Sequence, residues 1–209
     1  MKIIFDLDGT INDSGEGIIN CATLALEYFH LPVPDKQAMR VFVGPPLRET
    51  FMKFGVKPEN VETAMQIYRK QYVPVGLYQC RAYDGMGELL RKLKADGHRL
   101  FIATSKPENM AENVLKHLGL FDYFERICGA TLDKSRDTKA EVLRYLLETT
   151  GSTEKTVMVG DTVYDVEGAA AFQIPTVGVS WGYGRAEDME KAGACKIVHT
   201  PDELYDFFQ

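Results

Sequence analysis

Lys2-Ile3-Ile4-Phe5-Asp6-Leu7-Asp8-Gly9-Thr10 is the stretch on which the reading of this chain turns. Its apolar residues favour β structure, and the polar end stops the run. A buried strand running into an Asp-Leu-Asp-Gly-Thr loop is expected. In an open α/β sheet, ligands sit outside the carboxyl ends of the strands. Two carboxylates two residues apart, just past a strand end, therefore stand where chemistry is expected. Gly9 lets the chain turn sharply there.

Working outward, similar short apolar runs bounded by Gly, Asp, Ser or Thr occur at residues 99–104, 156–160, 175–180 and 196–199, with a weaker one at 126–129. Near-continuous apolar runs suit strands buried on both faces of a parallel sheet. Amphipathic helices are expected between them at 87–96, 108–118, 139–147 and 165–172. The alternation predicts an α/β fold, a Rossmann-like parallel sheet with helices on both faces. The rhythm breaks over residues 14–81, where Ile18, Ile19, Ala22, Leu26 and Phe29 share one helical face and Val61, Met65, Ile67 and Tyr68 form a second stripe. The expected organisation is a core of residues 1–13 and 82–209 with a helical insert at 14–81.

The chain has 209 residues, 45% hydrophobic and 26% charged. That composition belongs to an ordinary globular chain and excludes disorder as the dominant state. No stretch approaches the ~20 apolar residues that cross a bilayer. Asp6 and Asp8 interrupt the first apolar run too early for a signal peptide, so a cytoplasmic chain without a membrane partner is expected. A net charge of −6 and the lack of a basic run argue against a nucleic acid polymer as partner. Cys21, Cys80, Cys128 and Cys195 are scattered, which fits neither a zinc site nor a disulfide framework.

The other strand ends carry polar residues as well. One delivers Thr104-Ser105-Lys106, another Gly160-Asp161-Thr162-Val163-Tyr164-Asp165, and Lys139 opens the helix before that second strand. Asp6, Asp8, Asp161 and Asp165 in one cleft would repel one another. A hard divalent cation removes that difficulty, and Mg²⁺ prefers a few carboxylate oxygens with retained waters. Thr104 and Lys139, with Ser105 beside them, are donors that suit a phosphate. Metal, carboxylates and phosphate donors together spell phosphoryl transfer. One carboxylate serves as a nucleophile that forms an aspartyl-phosphate, and another as general acid and then base.

FDLDGT at residues 5–10, Thr104 after FIA, Lys139, and GDTVYD at 160–165 occur in that order along nearly the whole chain. On these motifs the sequence resembles the haloacid dehalogenase-like hydrolase superfamily, most closely its phosphoglycolate-phosphatase-like branch with a small helical cap. The resemblance implies a phosphoric monoester hydrolase acting on a small phosphorylated metabolite such as phosphoglycolate or a nucleoside monophosphate. It implies Asp6 as nucleophile and Mg²⁺ ligand, and Asp8 as acid/base with its carbonyl on the metal. It further implies Thr104 and Lys139 as phosphate-binding groups, Asp161 as the main further metal ligand, and Asp165 as a water-mediated ligand or partner of Lys139. Residues 14–81 become a cap that closes over the substrate and excludes water. Gly44-Pro45-Pro46-Leu47 becomes a specificity loop, against the plainer reading of a helix-breaking connector. Arg40 and Arg48 flank it, either as partners of a substrate anion or as exposed charges.

A hexose-phosphate mutase shares the core motifs, but its cap-loop signature differs from this Gly-Pro-Pro. A dehalogenase lacks an acid at the position of Asp8, and neither Lys36 nor Lys53 resembles the Schiff-base lysine of a phosphonate hydrolase. A non-enzymatic phosphate-binding regulator would have lost the nucleophile or the metal ligands, whereas every motif position here is filled.

Overall fold

The computed structural model describes residues 1–133, 135–151 and 155–209. In chain order the strands are β1 (Lys2–Phe5), β2 (Asn12–Asp13), β3 (Arg81–Ala82), β4 (Arg99–Pro107), β5 (Arg126–Ala130), β6 (Thr156–Gly160), β7 (Thr176–Val179) and β8 (Lys196–Val198). The helices are α1 (Gly15–Tyr28), α2 (Lys36–Met39), α3 (Leu47–Lys53), α4 (Val61–Tyr72), α5 (Met86–Ala95), α6 (Glu108–His117), α7 (Lys139–Thr150), α8 (Val163–Ala170), α9 (Ala186–Lys191) and α10 (Pro201–Phe207). The chain divides into two units, Met1–Asn12 with Ala82–Gln209, and Asp13–Arg81.

The first unit is built on a parallel sheet in the order β5-β4-β1-β6-β7-β8. β1 lies at its centre, with Ile4 opposite Phe101 of β4 and Met158 of β6. All four residues of β1 are buried, which requires cover on both faces. On one face Ile4, Phe101, Ala103 and Met158 pack with Val142, Leu143 and Leu146 of α7 and Ala169 of α8. On the other face Phe5 meets Phe124 edge to face, their ring centroids 6.3 Å apart. The architecture is α/β and Rossmann-like. The chain winds from β1 outward through β4 and β5, then returns past β1 to β6, β7 and β8. That reversal makes a topological switch point at β1, where such sheets open a crevice beyond their carboxyl ends.

The local reasons are visible in the caps. Thr138 accepts from the Glu141 N–H, while the Glu141 carboxylate takes the Thr138 N–H, a reciprocal pair that starts α7. Lys139 is thereby fixed as the first residue of that helix. β4 continues three residues past Thr104, where the apolar run stops, and its register with β5 is irregular between Ala103 and Pro107. Helices α9 and α10 were not expected from the sequence. Each buries one apolar side chain, Met189 and Leu204 respectively, too little to stand out as periodicity.

The second unit is helical apart from its ends in β2 and β3. An aromatic cluster forms its core. Phe42 contacts Phe51 and Phe54 at 5.1 and 4.8 Å between ring centroids, and Tyr68 stacks on Tyr72 at 5.0 Å. Among the described residues no helix is long and apolar enough to cross a membrane.

Candidate active site

β1, β4 and β6 end side by side, and the residues just past their ends meet the first residue of α7. Lys139 is buried there, its side chain 5% exposed. Its ammonium has three oxygen neighbours: Asp6 Oδ1 at 2.7 Å, Asp165 Oδ1 at 2.8 Å, and the Ala103 carbonyl, to which it donates at 2.8 Å. The ammonium thus sits as a buried positive charge between the two carboxylates. Gly168 makes room for it, since a Cβ there would stand 2.7 Å from Lys139 Cγ.

Asp6, Asp161 and Asp165 form an acidic cluster whose oxygens lie within 4.8 Å of one another. Burial pushes the Asp6 carboxyl up to about 6, with Lys139 opposing and the Asp165 charge adding. Asp161 is held well above the ordinary carboxylate range by burial, then by Asp165 and Asp6. Burial lowers the Lys139 ammonium, but Asp165 and Asp6 more than reverse it, leaving it above its ordinary value. Among the described residues, Lys139 thus pairs with two of the three clustered carboxylates, Asp6 and Asp165. A hard divalent cation fits this oxygen donor set and would supply the missing positive charge. Asp165 is the least available of the three, because Thr162 donates to its Oδ2 through both N–H and hydroxyl, at 3.0 and 2.9 Å.

Asp161 is held from the other side by the loop after β7, where Gly182-Tyr183-Gly184 reads from the sequence as a connecting loop and not as a dinucleotide fingerprint. Tyr183 N–H donates to Asp161 Oδ2 at 2.9 Å, and the Thr10 hydroxyl donates to Oδ1 at 3.2 Å. Trp181 Nε1 donates to the Thr10 carbonyl at 3.0 Å. Gly182 must be glycine, since a Cβ would collide with the Asp161 carboxylate and the Gly9 carbonyl. Gly9 has φ +87°, the left-handed conformation expected at the turn after Asp8.

Asp8 stands apart from the acidic cluster. Its Oδ2 pairs with Lys106 Nζ at 2.5 Å and its Oδ1 accepts from Asn12 Nδ2 at 3.0 Å. Lys106 is a residue to which the sequence reading gave no role. The available signal is β alternation, which puts it on the same side of β4 as Thr104. Thr104 is buried, its hydroxyl oxygen accepting from the Lys106 N–H at 3.2 Å, whereas Ser105 between them is exposed. Gly44, Arg40 and Arg48 belong to the helical unit. Gly44 is exposed with φ +101°, Arg40 is exposed, and Arg48 forms a two-pronged ion pair with Glu62 of the same unit, Nη2 to Oε2 at 2.9 Å.

The family model for haloacid dehalogenase-like hydrolase matches residues 3–179. The chain is 43% identical to a protein of Mycobacterium tuberculosis named tyrosine-protein kinase PtkA, over 97% of this chain and 70% of that one. It is 36% identical to a 5′-nucleotidase of Pseudomonas aeruginosa, over 90% of this chain and 86% of that one. A haloacid dehalogenase-like hydrolase from Streptococcus pneumoniae superposes with a TM-score of 0.94 at 32% identity, covering 100% of this chain and 98% of that one. With its motif residues gathered at one end of a parallel sheet and the match running over most of its length, the chain belongs to the haloacid dehalogenase-like hydrolase family.

Proposed function

We propose that this hydrolase cleaves small phosphomonoesters through an aspartyl-phosphate on Asp6, with Mg²⁺ as cofactor. The observation that carries the reading is the Asp6–Lys139–Asp165 arrangement with Asp161 beside it, which supports a nucleophile held by a buried cation next to a cluster of oxygens suited to a metal. Asp6 and Asp161 would hold the metal, with the Asp8 carbonyl and, less directly, Asp165. Mg²⁺ bound there would offset the negative charge of the carboxylates and the phosphoryl oxygens. Asp6 attacks phosphorus as the ester P–O bond breaks, and Asp8 passes a proton to the leaving oxygen. Asp8 then takes a proton from water, whose oxygen attacks phosphorus, breaks the bond to Asp6 and frees phosphate. Thr104, its oxygen already accepting from a backbone N–H, has its hydroxyl proton to offer the transferring group. Lys139 holds Asp6 in line and balances charge.

The helical unit Asp13–Arg81 is read as the part that selects the leaving group, with Gly44, Arg40 and Arg48 as candidates. The relatives' names make a nucleoside monophosphate a leading substrate and phosphotyrosine a necessary comparison. Phosphoglycolate belongs with them, since other relatives carry the name phosphoglycolate phosphatase. The test is phosphate release from phosphoglycolate, nucleoside monophosphates, hexose phosphates and phosphotyrosine, in Mg²⁺ and in EDTA. Turnover that EDTA abolishes and Mg²⁺ restores is expected, with one class standing above the rest in kcat/KM. Equal rates with and without EDTA would contradict the metal assignment. Interconversion of hexose phosphates without net phosphate release would favour a mutase.

A further inference from the structure

A second buried ammonium stands at the same strand ends. The Lys106 side chain is 5% exposed, and its Nζ lies 2.5 Å from Asp8 Oδ2. Its backbone is held as firmly. The Lys106 N–H donates to Thr104 Oγ1, and Gly129 of β5 lies so close that a Cβ there would stand 2.5 Å from the Lys106 carbonyl oxygen. Glu108 completes the support, taking the Gly129 N–H at 3.1 Å and pairing with Arg136 at 2.8 Å. Asp8 itself is gripped at both ends, Oδ2 by Lys106 and Oδ1 by Asn12 Nδ2 at 3.0 Å.

We propose that Lys106 is a positioning residue for Asp8, fixing the rotamer from which this carboxyl exchanges protons with the leaving group and then with water. The inference rests on the phosphatase reading above. A carboxyl held through one oxygen can rotate, whereas one held through both presents a single orientation. Each oxygen keeps a second lone pair for the proton it passes. During transfer the bond from phosphorus to the leaving oxygen breaks, the bond to Asp6 forms, and the Asp8 proton moves to the leaving oxygen. The carboxylate left behind already faces the Lys106 ammonium. Misorientation of a general acid by a fraction of an ångström loses much of its contribution, which is ~10²–10⁴-fold when complete.

Loss of a well-placed acid hurts basic leaving groups most. The test compares p-nitrophenyl phosphate with phenyl phosphate, whose leaving group is the more basic, in Mg²⁺ and by kcat/KM, which covers the steps through formation of the phosphorylated enzyme. Lys106→Met is expected to lose about tenfold more on phenyl phosphate than on p-nitrophenyl phosphate. Asp8→Asn, run in parallel, should show the same bias more strongly, and Lys106→Arg should recover part of the loss. Lys106→Gln replaces the methionine variant if that one does not fold by circular dichroism. Equal losses on both esters at Lys106, with the bias present at Asp8, would overturn the role of Lys106 and leave the phosphatase reading standing. No bias at Asp8, or no wild-type turnover of either ester or of any phosphomonoester of the panel above, would overturn both.

Discussion

Asp6→Asn is expected to lower turnover of any phosphomonoester the protein accepts by about 10⁴-fold or more, the scale of loss when a covalent nucleophile is removed. An amide cannot attack phosphorus as a carboxylate does, and it also withdraws one anion from the proposed metal site. The variant should still fold. Burial already disfavours the Asp6 carboxylate, raising it to about 6, and an uncharged side chain of the same size avoids that cost. Circular dichroism and thermal unfolding should therefore match wild type closely. Activity within tenfold of wild type, from a folded Asp6→Asn protein, would exclude covalent catalysis by this residue.

Lys139→Met is the second large effect, and it reaches stability as well as rate. The ammonium stands between Asp6 and Asp165 with its side chain almost fully buried. Removing it leaves two buried carboxylates facing each other and strips the Ala103 carbonyl of its donor. Breaking a buried pair by deleting one partner costs about 3–5 kcal/mol. For a chain of this size that corresponds to a fall in Tm of roughly 10 °C, best measured in EDTA so that a bound cation does not mask it. Added Mg²⁺ should restore part of the stability by supplying positive charge to the same carboxylates, yet turnover should stay about 10²-fold or more below wild type because Asp6 is no longer held. An unchanged Tm in EDTA would mean that Lys139 does not balance the cluster.

The sheet was legible because its strands are buried on both faces and so read as unbroken apolar runs. Lys2–Phe5 and Thr156–Gly160 coincide with what the sequence suggests. Even Arg126–Ala130, the weakest signal, is a full strand at the sheet edge. What escaped reading depends on contacts with little local signature. β2 and β3 are two residues each and exist through pairing with one another across the intervening helices. Helix α10 did carry a local sign, Thr200 before Pro201 with Glu203 three residues on, and the Thr200 hydroxyl does accept from the Glu203 N–H.

The same division holds at the site. Asp6, Asp161 and Asp165 were singled out from residue type and position after strands, and Lys139 from its place at the start of a helix, and the fold brings their side chains together. Lys106 was not, because its partner Asp8 lies 98 residues away in the chain and a lone lysine at a strand end reads as a solvated charge. The hold of Tyr183 and Trp181 on Asp161 and Thr10 was equally invisible. A Gly-Tyr-Gly loop has no periodicity, and its function depends on a close approach that only the folded chain reveals.

The most direct test of phosphoryl transfer to Asp6 is to trap the covalent state. Wild-type protein turning over p-nitrophenyl phosphate in Mg²⁺ would be quenched in borohydride, which reduces an acyl phosphate, and its peptides mapped by mass spectrometry. Reduction confined to Asp6, absent without substrate and absent in EDTA, is the expected result. Full turnover with Asp6 unmodified under every quench, or reduction at another carboxylate, would contradict the role of Asp6 as nucleophile.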